Sequence, residues 1–175
     1  MRQHLVSPLR PVALLCLAAL PGAAFALEPM PTAADSGVVT KQITVTAGAD
    51  AVRAQLCHAS DAVTLSSEVI SVKATPSGNC ERVKVQVKGL LSPMEYDSIR
   101  CPTATGWSER LISSDDFEKN SVDWEVQPVE GGTRITLRIL AIPKIPVPKA
   151  MVVSRVKAAA VTTLDELKHR LGVGK

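Results

Sequence analysis

The chain is poor in the residues from which most catalytic and metal centres are built. It holds two Trp, two Phe, one Tyr and three His in 175 residues. It has no G-x-S-x-G elbow, no H-E-x-x-H pair and no phosphate-binding glycine loop, which excludes the commonest hydrolase, zinc-peptidase and nucleotide-binding signatures. No C-x-x-C occurs and the cysteines are widely spaced, with only His58 next to Cys57 as a neighbouring pair, so neither a metal nor a cofactor is expected. Charge of one sign is lacking too. Lys plus Arg number 20 against 17 Asp plus Glu, a net +3 that argues against a nucleic-acid partner. The apolar run from Val12 to Leu20 falls well short of the ~20 residues that span a bilayer.

That run has another use. Arg2 and Arg10 precede or open it, and Ala24-Phe25-Ala26 closes it with small-x-small spacing, so residues 1–26 are expected to be a secretory signal peptide. Bulky Leu14 and Leu15 before Cys16 speak against a lipoprotein. Removing the segment leaves about 150 residues, enough for one domain with a substantial core. The remaining charge is close to balance. Residues 27–38, "LEPMPTAADSGV", lack periodicity and are expected to be a flexible lead. Three cysteines follow, Cys57, Cys80 and Cys101. In a periplasmic or secreted protein, an odd count allows one bridge at most.

Alternation then organises the chain. In "VDWEVQPVEGGTRITLRIL", Val122, Trp124 and Val126 share one face, and Ile135, Leu137 and Ile139 continue it after the glycines. A two-residue loop at Gly131-Gly132 would set Val126 opposite Leu137, Trp124 opposite Ile139 and Glu125 opposite Arg138. Upstream, Val83, Val85 and Val87 alternate with charged and polar residues, as in a half-buried strand. Pairing this strand with "MEYDSIRC" sets Val85 against Tyr96, Val87 against Met94 and Cys80 against Cys101, which favours a Cys80–Cys101 disulfide. A four-residue loop near Leu90 would shift that pairing by two and place the cysteines on a diagonal. Further strands are expected over 41–47, 67–75 and 106–114, for seven in all, with one or two short helices between the first and second. Pro148 suits a helix start, and Val153, Val156, Ala160, Leu164, Leu167 and Leu171 recur at helical spacing up to Gly172. Such a helix is ~35 Å long, enough to lie across a seven-stranded sheet ~29 Å wide.

Charged and polar residues offer few catalytic candidates. His169 among Lys168 and Arg170 suits a helix end. His58 suits a cap or a surface, and Asp115-Asp116 with Glu118 suits a solvated turn. Tyr96 and Arg100 could bring a hydroxyl and a charge to a cavity. Lys149, Arg155, Lys157, Lys168 and Arg170 along the last helix form either a solvated face or a surface for transient contact with anionic membrane. Ala158-Ala159-Ala160 either lets helix and sheet approach closely or leaves volume for a guest.

One strand, one or two short helices, six antiparallel strands and a long C-terminal helix is the element order of the helix-grip fold. Trp124 with its strand, the Gly131-Gly132-Thr133-Arg134 hairpin, and the bridge of Pro143, Pro146 and Pro148 into the helix resemble the C-terminal part of START-like (SRPBCC) proteins. That superfamily includes polyketide cyclase/dehydrase-like, coenzyme Q-binding and lipid-transfer proteins. The resemblance covers residues 107–171, and over 40–106 it rests on element order. It implies an α+β helix-grip domain over 39–175, with a curved antiparallel sheet wrapped around the long helix. It also implies an apolar small molecule or lipid as partner, held between sheet and helix by Val85, Val87, Met94, Tyr96, Trp124, Leu137, Ile139, Met151 and Val156. The same residues would serve as plain core in a closed interaction module. A cyclase- or dehydratase-like enzyme would require polar groups converging inside the cavity; the leading expectation is a non-enzymatic binder.

Overall fold

The computed structural model describes residues 27–31, 37–89 and 92–172. The expected signal segment lies outside the described residues. In chain order the elements are β1 (Val39–Val45), α1 (Ala49–Leu56), α2 (Asp61–Leu65), β2 (Val69–Ser77), β3 (Cys80–Val87), β4 (Met94–Pro102), β5 (Gly106–Ser113), β6 (Phe117–Val129), β7 (Gly132–Pro143) and α3 (Lys149–Gly172). The seven strands form one antiparallel sheet in the order β1-β7-β6-β5-β4-β3-β2, so β1 crosses to pair with the last strand while the others form a meander. This is the helix-grip order.

Val45, Val126, Ile135 and Leu137 of the sheet pack against Val52 and Leu56 of α1 and against Ala160, Leu164 and Leu167 of α3. Val153, Val156 and Leu171 join from the same helical stripe, so the apolar spacing of α3 is the face it buries. The helix approaches β1 and β7 most closely rather than crossing the whole sheet evenly. A smaller cluster of Ala59, Val83 and Val85 sits on the β3 side. The triple alanine divides its work: Ala158 is exposed, Ala160 is completely buried in the core, and Ala159 lines the space between the two clusters.

The β3–β4 register is the expected one, with Val85 opposite Tyr96 and Val87 opposite Met94. Cys80 and Cys101 form a disulfide with Cα atoms 4.3 Å apart, tying the start of β3 to the end of β4. The β6–β7 register differs by two from the expectation: Trp124 faces Leu137, Val126 faces Ile135, and Glu125 faces Thr136 rather than Arg138. The turn residues are Glu130 and Gly131, the latter at φ +78°, while Gly132 already pairs with Val129. Gly132 serves another purpose. A Cβ there would lie 2.0 Å from the Val45 carbonyl oxygen, so its missing side chain admits β1 alongside β7. A shift of two preserves which face each residue occupies, and the inward set is unchanged.

Of residues 27–38, the described part runs against the sheet. Met30 is buried, the Glu28 carbonyl accepts a hydrogen bond from Arg110 Nε (2.8 Å), and that of Pro31 accepts one from Arg138 (3.3 Å). Among the described residues no helix is long and apolar enough to cross a membrane.

Candidate functional site

A cavity lies between α3, the α1–α2 segment and the inner faces of β2–β7. Its volume is about 270 Å³. Val85, Val87, Met94, Tyr96, Trp124, Leu137, Ile139, Met151 and Val156 all lie in its wall. They arrive there by parity: alternate residues of each strand point inward, while Val156 belongs to the core stripe of α3 and Met151, in the first turn of the helix, is half exposed at the rim. The mouth is marked by lining residues that also reach solvent, Ile145 and Met151, each 51% exposed, and Lys88.

The floor is polar. Antiparallel register sets Glu81 opposite Arg100, Arg100 opposite Glu109, and Glu109 opposite Val122, so one row across four strands carries acid, guanidinium, acid and valine on the inner face. Arg100 is buried. Its Nη1 lies 3.7 Å from Glu81 Oε2, its Nη2 donates to the Leu56 carbonyl, and its guanidinium sits 5.5 Å from the Trp107 ring centre. Burial lowers its pKa, and the charges of Glu109 and Glu81 oppose that; an arginine so placed remains a cation.

Glu109 accepts a hydrogen bond from Ser98 Oγ at 2.7 Å. Removal from water raises its pKa, outweighing the Ser98 bond and the attraction of Arg100. Tyr96 lies two residues from Ser98 on β4. Burial, assisted by Glu109, holds its hydroxyl well above the ordinary phenol range, while a hydrogen bond with Asn120 acts the other way. Tyr96 also meets the Phe117 ring edge-on, with centroids 5.7 Å apart, which fixes its orientation.

Sequence reasoning reached Tyr96 and Arg100 but not Glu109 or Asn120. Their signal was parity, since Glu109 shares a face with Trp107, and Asn120 with Val122 and Trp124. Arg155 departs from the solvated-face expectation. From α3 it donates to Glu68 Oε2 (2.9 Å) and to the carbonyls of Lys88 (3.0 Å) and Gly89 (3.4 Å), pinning the α2–β2 and β3–β4 loops at the mouth. Arg170 likewise turns inward to Glu166 and Thr64. His58 is exposed at the cavity's other margin, 3.8 Å from Glu81. Asp116, in the β5–β6 turn, ties that turn to the start of β4 by accepting from the Glu95 amide at 2.9 Å.

No protein-family model matches the chain, and no curated protein matches its sequence. Solved structures do. A START superfamily protein from Mycobacterium smegmatis superposes with a TM-score of 0.68 at 16% identity, covering 77% of this chain and 97% of that one. The Zhui aromatase/cyclase from Streptomyces sp. R1128 gives 0.65 at 15% identity, covering 77% and 93%. A STAR-related lipid transfer protein from Xanthomonas axonopodis gives 0.59 at 14%, covering 80% and 89%.

Proposed function

We propose that this chain, which has the START-like helix-grip fold, is an exported protein that holds a lipid or another apolar small molecule between its sheet and α3. The cavity is the observation that carries the reading. Its volume of about 270 Å³ exceeds the ~150 Å³ of an engineered void that binds benzene. Its lining is mostly apolar from the mouth down to the polar floor, whereas a closed-core interaction module would fill such a space with its own side chains.

Export rests on residues 1–26 as signal peptide, with 27–38 as a lead and 39–175 as the binding domain; the Cys80–Cys101 disulfide suits an oxidising compartment. Exposed Ile145 and Met151 at the mouth, near Lys144 and Lys88, suit transient contact with an anionic membrane while cargo is exchanged. A second reading, cyclase- or dehydratase-like catalysis, draws support from the convergence of Tyr96, Glu109 and Arg100 on one floor.

Displacement of an environment-sensitive apolar fluorophore tests the leading reading. Saturable uptake by the folded protein, competed by long-chain lipids, is expected. Fluorescence that rises only on unfolding would refute it.

A further inference from the structure

The floor of the cavity is built for more than apolar contact. Four polar side chains meet there, Arg100, Tyr96, Asn120 and Glu109, and their mutual arrangement decides which of them are available to a guest. Arg100 is engaged by the protein itself: one nitrogen is near Glu81, another is on the Leu56 carbonyl, and its face is on Trp107. Its charge is balanced before any guest arrives. Tyr96, Asn120 and Glu109 remain, all lining the cavity. A phenol and a carboxamide both donate and accept, and so does a carboxyl in its protonated form.

A purely hydrocarbon end placed against these groups would strip their water without replacing its hydrogen bonds. A carboxylate or phosphate head would have to leave water for a floor whose guanidinium, Arg100, is already taken up by Glu81, the Leu56 carbonyl and Trp107. An uncharged oxygen meets neither objection, since it accepts from the phenol or carboxyl and, if a hydroxyl, donates to the carboxamide.

We propose that Tyr96, Asn120 and Glu109 form a head-group subsite that selects lipids ending in an uncharged hydroxyl or carbonyl, seated head-first against the floor with the chain running out towards Met151. The inference rests on the cavity being a binding site and adds the chemical class of what it binds. The burial that favours the protonated carboxyl of Glu109 and the neutral phenol of Tyr96 supports it.

The test is a competition series on the full chain at about pH 6, where a free carboxylic acid is already ionised. The competitors share one alkyl chain and end in an alcohol, a methyl ketone, a carboxylate, an ammonium or a plain methyl group. The alcohol and ketone are expected to bind roughly tenfold tighter than the methyl-ended chain and at least as far ahead of the carboxylate, as one or two satisfied hydrogen bonds would give. Tyr96→Phe should erase most of the advantage of the alcohol while leaving the methyl-ended chain unaffected. Glu109→Gln, which stays neutral and hydrogen-bonding, should keep that advantage, and Glu109→Leu should lose it. Equal or tighter binding of the carboxylate overturns the proposal, as does an ammonium chain that binds tightest, which would mean that Glu109 meets its guest ionised. Equal binding of all five heads defeats the subsite alone. Failure of every member, the methyl-ended chain included, defeats the binding reading beneath it.

Discussion

Replacing Glu109 with Gln gives a test of the cavity floor that needs no ligand. The carboxyl accepts from Ser98 Oγ at 2.7 Å, a bond the Gln carbonyl can also accept, so the change removes a titrating group with little change in shape. Burial raises the native pKa of Glu109 above the ordinary value of 4.5, against the pull of Ser98 and Arg100. Between the unfolded and folded values the native state therefore binds more protons than the unfolded chain. The stability associated with that proton is complete below the unfolded value and lost as pH rises through the folded one. The slope is bounded at about 1.4 kcal/mol per pH unit for a single proton. The other ionisable groups are common to both proteins, and their contributions largely cancel when the two are subtracted.

Urea unfolding followed by the fluorescence of Trp107 and Trp124, repeated over roughly pH 4–8, measures this difference. The advantage of Glu109→Gln over the parent should be smallest at the acid end and grow with pH, at up to about 1.4 kcal/mol per unit. A flat difference would show that Glu109 is hydrated like a surface acid. A difference that shrinks with pH would show that the attraction of Arg100 outweighs burial.

Three further outcomes follow from the same geometry. Ala159→Trp should fill the cavity from α3, leaving unfolding free energy unchanged or raised while apolar probe uptake falls by more than tenfold; in a closed core the same change would overpack the interior and cost about 1–3 kcal/mol. Replacing both Cys80 and Cys101 with Ala opens a link across a sequence separation of 21 and should cost about 3 kcal/mol in urea unfolding. Arg155→Met should release the loops at the mouth, speeding probe exchange severalfold in stopped-flow mixing. Because the Arg155–Glu68 pair is about one-third exposed on each side, the stability loss should stay below about 1 kcal/mol.

Much of this arrangement was legible in the sequence because it depends on parity. Alternation in β3, β4, β6 and β7 survives any even shift of register, and the stripe from Val153 to Leu171 depends on helical spacing alone, so the inward apolar residues could be named even where the hairpin pairing was not. The β6–β7 register was misread because both glycines were given to the turn. Only Gly131 belongs to the turn, whereas Gly132 already pairs within β7, and its lack of a side chain serves β1, a strand far away in sequence whose carbonyl needs the space. Glu109 and Asn120 were missed for a different reason. Inward position was inferred from apolar character, and these two hold inward positions with polar side chains. Their surroundings become visible only when four strands are aligned and Glu81, Arg100 and Glu109 fall in one row. Arg155 resisted for the same reason, since its partners come from two loops remote in sequence.

Native mass spectrometry of the protein, purified without detergent from the exported fraction and followed by solvent extraction, addresses the central claim most directly. A folded protein carrying one apolar molecule at near-stoichiometric occupancy, identifiable in the extract and absent from Ala159→Trp, is the predicted result. A bare protein that also takes up no long-chain alcohol, ketone or hydrocarbon when these are added back would contradict it.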